Sequence, residues 1–211
     1  MCRLLLVKSQ HEFDIEPHLS RFAHIAQHSK EYQGHGWGCG YLVNGEWRLY
    51  KNISPIWEDD LSQFGQTRLL VAHARSAFQD RGIVVENNMP FFDGQYMFIF
   101  NGELRGVKIR ETGRTGAEKI FRIIKRFDRG NLQQAIRKAV NLILRRTHYV
   151  RAMNFFITND TRTYIVSYFN EDPEYFTLRL KQTSKQLIIC SEVYPGETRW
   201  QAIPNATIEV F

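Results

Sequence analysis

Apolar residues fall along this chain in two rhythms, and each rhythm predicts its own kind of element. The run from Cys2 to Val7 is short and nearly continuous, the pattern of a buried strand. Between Pro17 and Ser29, Leu19, Phe22, Ala23, Ile25 and Ala26 recur with helical spacing. Tyr41 to Val43 and Trp47 to Tyr50 flank Asn44-Gly45, the dipeptide that supplies the positive φ of a tight hairpin. Leu69 to Ala72 and Tyr96 to Phe100 read as further buried strands. Glu118 to Phe127 and Leu132 to Leu144 return to the helical rhythm through Ile120, Phe121, Ile124, Ala135, Ile136, Ala139, Val140 and Ile143. Strands close the chain at Asn154 to Thr158, Tyr164 to Tyr168, Phe176 to Leu180, Leu187 to Cys190 and Thr207 to Phe211. Strands first, two helices in the middle and strands last, with no βαβ alternation, predict an α+β domain of mostly antiparallel sheets spanning residues 1–211.

Composition narrows the picture only in part. The 211 residues are 43% hydrophobic and 24% charged, the balance of an ordinary globular chain. No apolar run approaches the roughly 20 residues of a membrane span. The run at Leu4 to Val7 is too short for a secretory signal. Three widely spaced cysteines make no disulfide framework. The expectation is a cytoplasmic protein without membrane contact. The net charge of +6 is local: residues 103–151 hold 14 Lys/Arg against 4 Asp/Glu. Such asymmetry marks either a docking face for an acidic protein or the solvated side of helices. Nucleic acid is not favoured, because no recognition motif accompanies the charge. The seven histidines show no metal-ligand spacing, and His24 and His28 alone cannot fill a tetrahedral site. Neither a metal nor a cofactor is expected.

Four features carry candidate chemistry. Once Met1 is removed, Cys2 holds a thiol and a free α-amine, so one residue supplies a nucleophile and a base whose ordinary pKa is about 7.7–8.0. Gly34-His-Gly-Trp37-Gly-Cys-Gly40 leads into a hairpin rather than a helix, which argues against a phosphate loop. It argues instead for a flat strand face approached closely by another group. His73-Ala-Arg75 ends a strong strand and offers a guanidinium to a carboxylate. Asn101-Gly102 follows another buried strand and offers a side-chain amide and a backbone N–H to an oxyanion. Each is also an ordinary strand end, surface arginine or turn when taken alone.

Their order is more specific than any one of them. Met1-Cys2-Arg-Leu-Leu, Gly34 to Gly40 with Trp37, His73-Ala-Arg75, Asn87-Asn-Met-Pro90-Phe91, Asn101-Gly102 and Thr115-Gly116-Ala-Glu118 together resemble the class II glutamine amidotransferases, which are N-terminal-nucleophile hydrolases. The likeness is to the small stand-alone type and extends over nearly the whole chain, closing at Ser191-Glu192, Trp200 and Pro204. It implies a four-layer α/β/β/α sandwich of two antiparallel sheets. It implies that Cys2 forms a thioester with a γ-glutamyl-type amide, that Asn101 and Gly102 hold the oxyanion, and that Arg75 takes the substrate carboxylate. His73, Trp37, Gly116 and Glu118 fall at matching substrate-side positions.

Two departures stand out. Where the family has Thr-Asp-Ser-Glu, this chain has Thr115-Gly116-Ala117-Glu118, so the carboxylate that would pair with the α-ammonium of glutamine is missing. Where it has Asn-Thr-His-Pro-Phe, Met89 replaces the histidine. Free glutamine is therefore not the expected best substrate, and an anionic substrate group fits the nearby arginines Arg110 and Arg114. Three readings follow: an amidohydrolase acting on a small-molecule amide, a glutaminase subunit feeding ammonia to a separate synthase, and an inactive relative used for binding.

Overall fold

A computed structural model describes all residues, Met1–Phe211. The elements run β1 (Arg3–Asp14), α1 (Ile15–Gln27), β2 (Trp37–Val43), β3 (Glu46–Asn52), β4 (Gln66–Ala74), β5 (Phe91–Phe92), β6 (Met97–Val107), α2 (Gly116–Phe127), α3 (Leu132–Arg145), β7 (Thr147–Thr158), β8 (Thr163–Ser167), α4 (Pro173–Phe176), β9 (Arg179–Gln182), β10 (Gln186–Cys190), β11 (Gln201–Ala202) and β12 (Thr207–Val210). One sheet has the order β11-β9-β10-β1-β4-β2-β3 and the other β12-β8-β7-β6-β5. The named strand pairs in both sheets are antiparallel.

Alternation along β1 and β4 assigns the layers. Leu5, Val7, Leu70 and Ala72 pack with Leu19 and Phe22 of α1 outside the first sheet. Leu4, Leu6, Leu69 and Val71 face the second sheet. On β6, Met97 meets Gly40 across the gap, so Met97, Ile99 and Asn101 point inward. Phe98 points the other way and stacks on Phe121 of α2, ring centroids 5.0 Å apart. The layers are thus α1, sheet, sheet, α2 with α3: an α+β sandwich. The helix starts are chemically specified, since Thr115 and Asn131 accept hydrogen bonds from the N–H groups of Glu118 and Gln134.

Two expectations on elements need correction. Phe176 belongs to the single turn α4 rather than to a strand, because Pro173 presets its first turn and β9 starts only at Arg179. The strands β1, β6 and β7 run on well past their fully buried segments into half-buried or exposed ribbons. Most cations of residues 103–151 form a solvated layer: Arg122, Arg126, Arg129, Arg137, Lys138, Arg145 and Arg146 are exposed and Lys125 is half-buried, whereas Arg151 is half-buried and bound to Glu31 and Asp172.

Candidate functional site

Strand register brings the chemistry-bearing residues to one end of the gap between the sheets. Arg3 pairs with Ala74, which sets Cys2 beside Arg75 at the strand ends. Ser76 N–H donates to Cys2 Sγ at 3.5 Å, and the thiol donates to the Ser76 carbonyl at 3.6 Å. Burial raises the Cys2 thiol pKa above its ordinary value, while the chain's α-ammonium, the Ser76 N–H and Arg75 oppose that rise. Cys39 and Cys190 are buried core residues, and burial pushes the Cys190 thiol up to about 12.

Arg75 is buried, donating to Asn88 Oδ1 at 3.2 Å and to the Gly82 carbonyl at 2.8 Å, and it has no carboxylate partner. Asn88 is in turn held by its donation to the Asn52 carbonyl at 2.7 Å. Two neutral acceptors orient the guanidinium but leave its charge uncompensated, an arrangement that suits an incoming anion. His73, the preceding inward residue of β4, places Nε2 at 3.2 Å from the Phe100 carbonyl and so ties the two sheets together just before Asn101. Burial, with Arg75 nearby, depresses its pKa to about 3, so the imidazole is neutral and Nε2 donates.

Asn101 is almost wholly buried, yet neither its Nδ2 nor its Oδ1 has a hydrogen-bond partner. Buried amides are rarely left empty, and the partner across the strand shows the contrast. Asn154 sits opposite Asn101 in register, donates to the Phe176 carbonyl at 2.6 Å and accepts from Tyr168 N–H at 2.9 Å. Gly102 lies opposite Met153, whose N–H is spent on Tyr168 at 2.7 Å. That pair therefore exchanges no bonds, and the Gly102 N–H faces away from β7, on the same strand edge as the Phe100 carbonyl. A side chain at 102 would collide with the Ala152 carbonyl.

The remaining sequence candidates divide. Glu118 stands at the start of α2, accepting from Arg114 N–H at 2.8 Å and from Arg122 at 2.8 Å. Gly116 begins that helix with open space where a side chain would go. Trp37 is not brought to the site. Its side chain points into the core beneath α1, against Tyr50 and Phe64, and donates to Asp59 at 2.8 Å. Period-two alternation explains this: Gly38 and Gly40 take the inward face of β2, so Trp37 takes the outward one.

Several residues around Met1 and Cys2 belong to no sequence motif. Gln33 donates to the Met1 carbonyl at 2.5 Å and Tyr175 does so at 2.6 Å, while Gln33 Oε1 is buried without a partner. The Met1 ammonium pairs with Glu31, which also binds Arg151 at 3.0 Å. Only the short reach from the chain start to the segment after α1 could have hinted at this cradle. No group of three or more His, Cys, Asp or Glu side chains converges on a common point. No helix is long and apolar enough to cross a membrane.

No family model and no curated protein matches the sequence. Solved structures do match the fold. A glutamine aminotransferase class-II domain protein from Silicibacter pomeroyi superposes with a TM-score of 0.65 at 14% identity, covering 99% of this chain and 94% of that one. A predicted glutamine amidotransferase from Pseudomonas aeruginosa gives 0.62 at 15% identity, covering 100% and 97%. Glutamine phosphoribosylpyrophosphate amidotransferase from B. subtilis gives 0.63 at 15% identity over 90% of this chain, which spans only 42% of that enzyme's length. The chain therefore has the fold of class II glutamine amidotransferase domains, two antiparallel sheets sandwiched between helices.

Proposed function

We propose that the protein is an N-terminal-nucleophile amidohydrolase that cleaves a small ω-amide, of the γ-glutamyl type, through a thioester on Cys2. The observation that carries this reading is the empty amide of Asn101 beside the Gly102 N–H that faces away from β7, at the end of the gap where Cys2 and Arg75, which has no carboxylate partner, also lie. The fold is one in which amidotransferase domains occur, which supports the reaction class.

In this reading Met1 is removed, and the groups that hold its carbonyl, Gln33 and Tyr175, are left facing the new α-amine of Cys2. The amine takes the thiol proton, and Sγ adds to the amide carbon. Asn101 Nδ2 and the Gly102 N–H receive the oxyanion, each such donor typically contributing about 10²–10³ in rate. The amine then returns the proton to the departing nitrogen, the C–N bond breaks, and ammonia leaves a thioester. Water, deprotonated by the same amine, hydrolyses it and frees the thiol. Arg75 anchors a carboxylate of the acyl group. His73 fixes the β6 edge and acts as a positioning residue.

Substrate choice follows from Gly116. With no carboxylate at 116, and with Glu118 already bound by Arg114 and Arg122, an α-ammonium finds no free partner at the start of α2, so amides lacking that amine are favoured over free glutamine. The test is ammonia release from glutamine and from glutaramate by chain whose intact mass shows loss of Met1. The expected result is turnover that prefers glutaramate and vanishes in Cys2→Ala with the fold retained. Turnover surviving in Cys2→Ala rules the reading out.

A further inference from the structure

Beside the site, a cleft of about 420 Å³ opens between β3, β5 and the first turns of α2. Its walls include Leu49, Phe91 and Phe92, and its charges are Lys51, Arg114, Arg122 and Lys125 against Asp93 and Glu118. The ion pairs within it are already assigned. Arg114 and Arg122 both bind Glu118, at 3.4 and 2.8 Å, and Lys125 binds Asp93 at 3.1 Å.

Lys51 is the cation left over. It is half-buried, its ammonium lies 5.3 Å from the centre of the Phe91 ring, and it makes no ion pair or hydrogen bond. Register places it on the inward face: Lys51 pairs with Gly38, Gly38 with His73, and His73 with Leu4. At about 4.8 Å per strand, Lys51 and His73 are about 10 Å apart, the reach of one small substrate. Gly38 lets the Met89 backbone and the Lys51 stem pack against the strand, because a Cβ there would come within 2.6 Å of the Met89 carbonyl and 3.1 Å of the Lys51 stem. Burial, and then Arg114, lowers the Lys51 pKa to about 8, so the ammonium stays mainly charged at neutral pH while being poorly solvated.

We infer that Lys51 is the anchor of an anion subsite, which takes a second carboxylate carried by the amide substrate at the end remote from the scissile bond. The inference rests on the amidohydrolase reading for the word substrate, but the subsite is defined by the cleft itself. A carboxylate there gains a charged hydrogen bond in a half-buried place, and the phenyl walls of Phe91 and Phe92 cover the chain leading to it.

The test separates the two ideas. N-succinylglutamine and N-acetylglutamine differ chiefly in one distal carboxylate. Both are titrated calorimetrically into the Cys2→Ala chain, which cannot turn them over, with Lys51 intact, as Lys51→Met and as Lys51→Arg. The inference predicts that the succinyl compound binds roughly ten- to a hundredfold more tightly, the size of one charge-assisted hydrogen bond. Lys51→Met should abolish that ratio and Lys51→Arg should keep most of it. Equal binding of the two ligands, no binding of either, or a ratio that Lys51→Met leaves unchanged would overturn it. Ammonia release by the Cys2-containing chain is read separately. Binding without turnover contradicts the amidohydrolase reading alone, and turnover without the Lys51 effect contradicts the subsite alone.

Discussion

Replacing Asn101 with leucine should make the protein more stable and less active. The side chains are nearly the same shape, so the change removes a buried amide without opening a cavity. Both amide atoms lack partners in the fold, and a buried unsatisfied group typically costs about 1–3 kcal/mol. Asn101→Leu should therefore raise the unfolding free energy by about that amount, and for a chain of this size raise Tm by about 2–4 °C per kcal/mol. Asn154, directly opposite, is the control. Its amide serves the Phe176 carbonyl at 2.6 Å and the Tyr168 N–H at 2.9 Å, so Asn154→Leu strands two buried groups and should cost about 2–4 kcal/mol. Thermal unfolding of the two variants gives opposite signs if Asn101 is held empty for a ligand. Ammonia release from glutaramate should meanwhile fall about 10²–10³-fold in Asn101→Leu. A loss of stability in Asn101→Leu comparable to that in Asn154→Leu, or unimpaired turnover, would refute the oxyanion assignment.

Other expectations follow from the same geometry. Gly116→Asp fits open space at the start of α2, where an acid also gains about 0.3–1 kcal/mol from the helix dipole; kcat/KM should shift toward glutamine with Tm unchanged or raised. Trp37→Phe should lower Tm, because Asp59 loses one of its donors, while leaving KM and kcat near their starting values; a selective fall in kcat/KM would return Trp37 to the site. The folded-state pKa values of His73 and His18 are depressed by burial to about 3 and about 4. In the unfolded chain both take up protons near 6.5, so their contribution to stability is intact above that pH and is lost progressively as pH falls toward 4 and 3. Tm should decline on acidification below about 6.5, and His18→Asn should make that decline shallower. A Tm flat from pH 7 to about 4 would contradict the buried neutral state.

The periodicity of apolar residues was enough for the layers, because a strand buried on one face and a helix packed on a sheet each leave a spacing that little else produces. It did not reveal where β1, β6 and β7 end, since their outer halves are half-buried or exposed ribbons held more by backbone pairing than by burial. It also misassigned Phe176, whose aromatic neighbours suit a strand as well as a helical turn. Of the proposed site, Cys2, Arg75, Asn101 and Gly102 stand out through their order along the chain, and the fold brings them to one end of the gap between the sheets. Lys51, Gln33 and Tyr175 do not, because a lysine on an edge strand or a tyrosine in a single helical turn becomes informative only when folding leaves it unpaired or aims it at Met1. Trp37 shows the opposite error. It stands within the glycine-rich segment, but strand alternation turns it into the core.

The reading depends most on Cys2 being a terminal, reactive nucleophile. Intact-mass spectrometry of the purified chain, before and after exposure to a diazo-ketone with the carbon skeleton of glutaramate, tests this directly. The account predicts a mass lacking Met1 and a single adduct, mapped to Cys2, with Cys39 and Cys190 unmodified in the core. Retention of Met1, or a mature chain that acquires no adduct at Cys2, would contradict it.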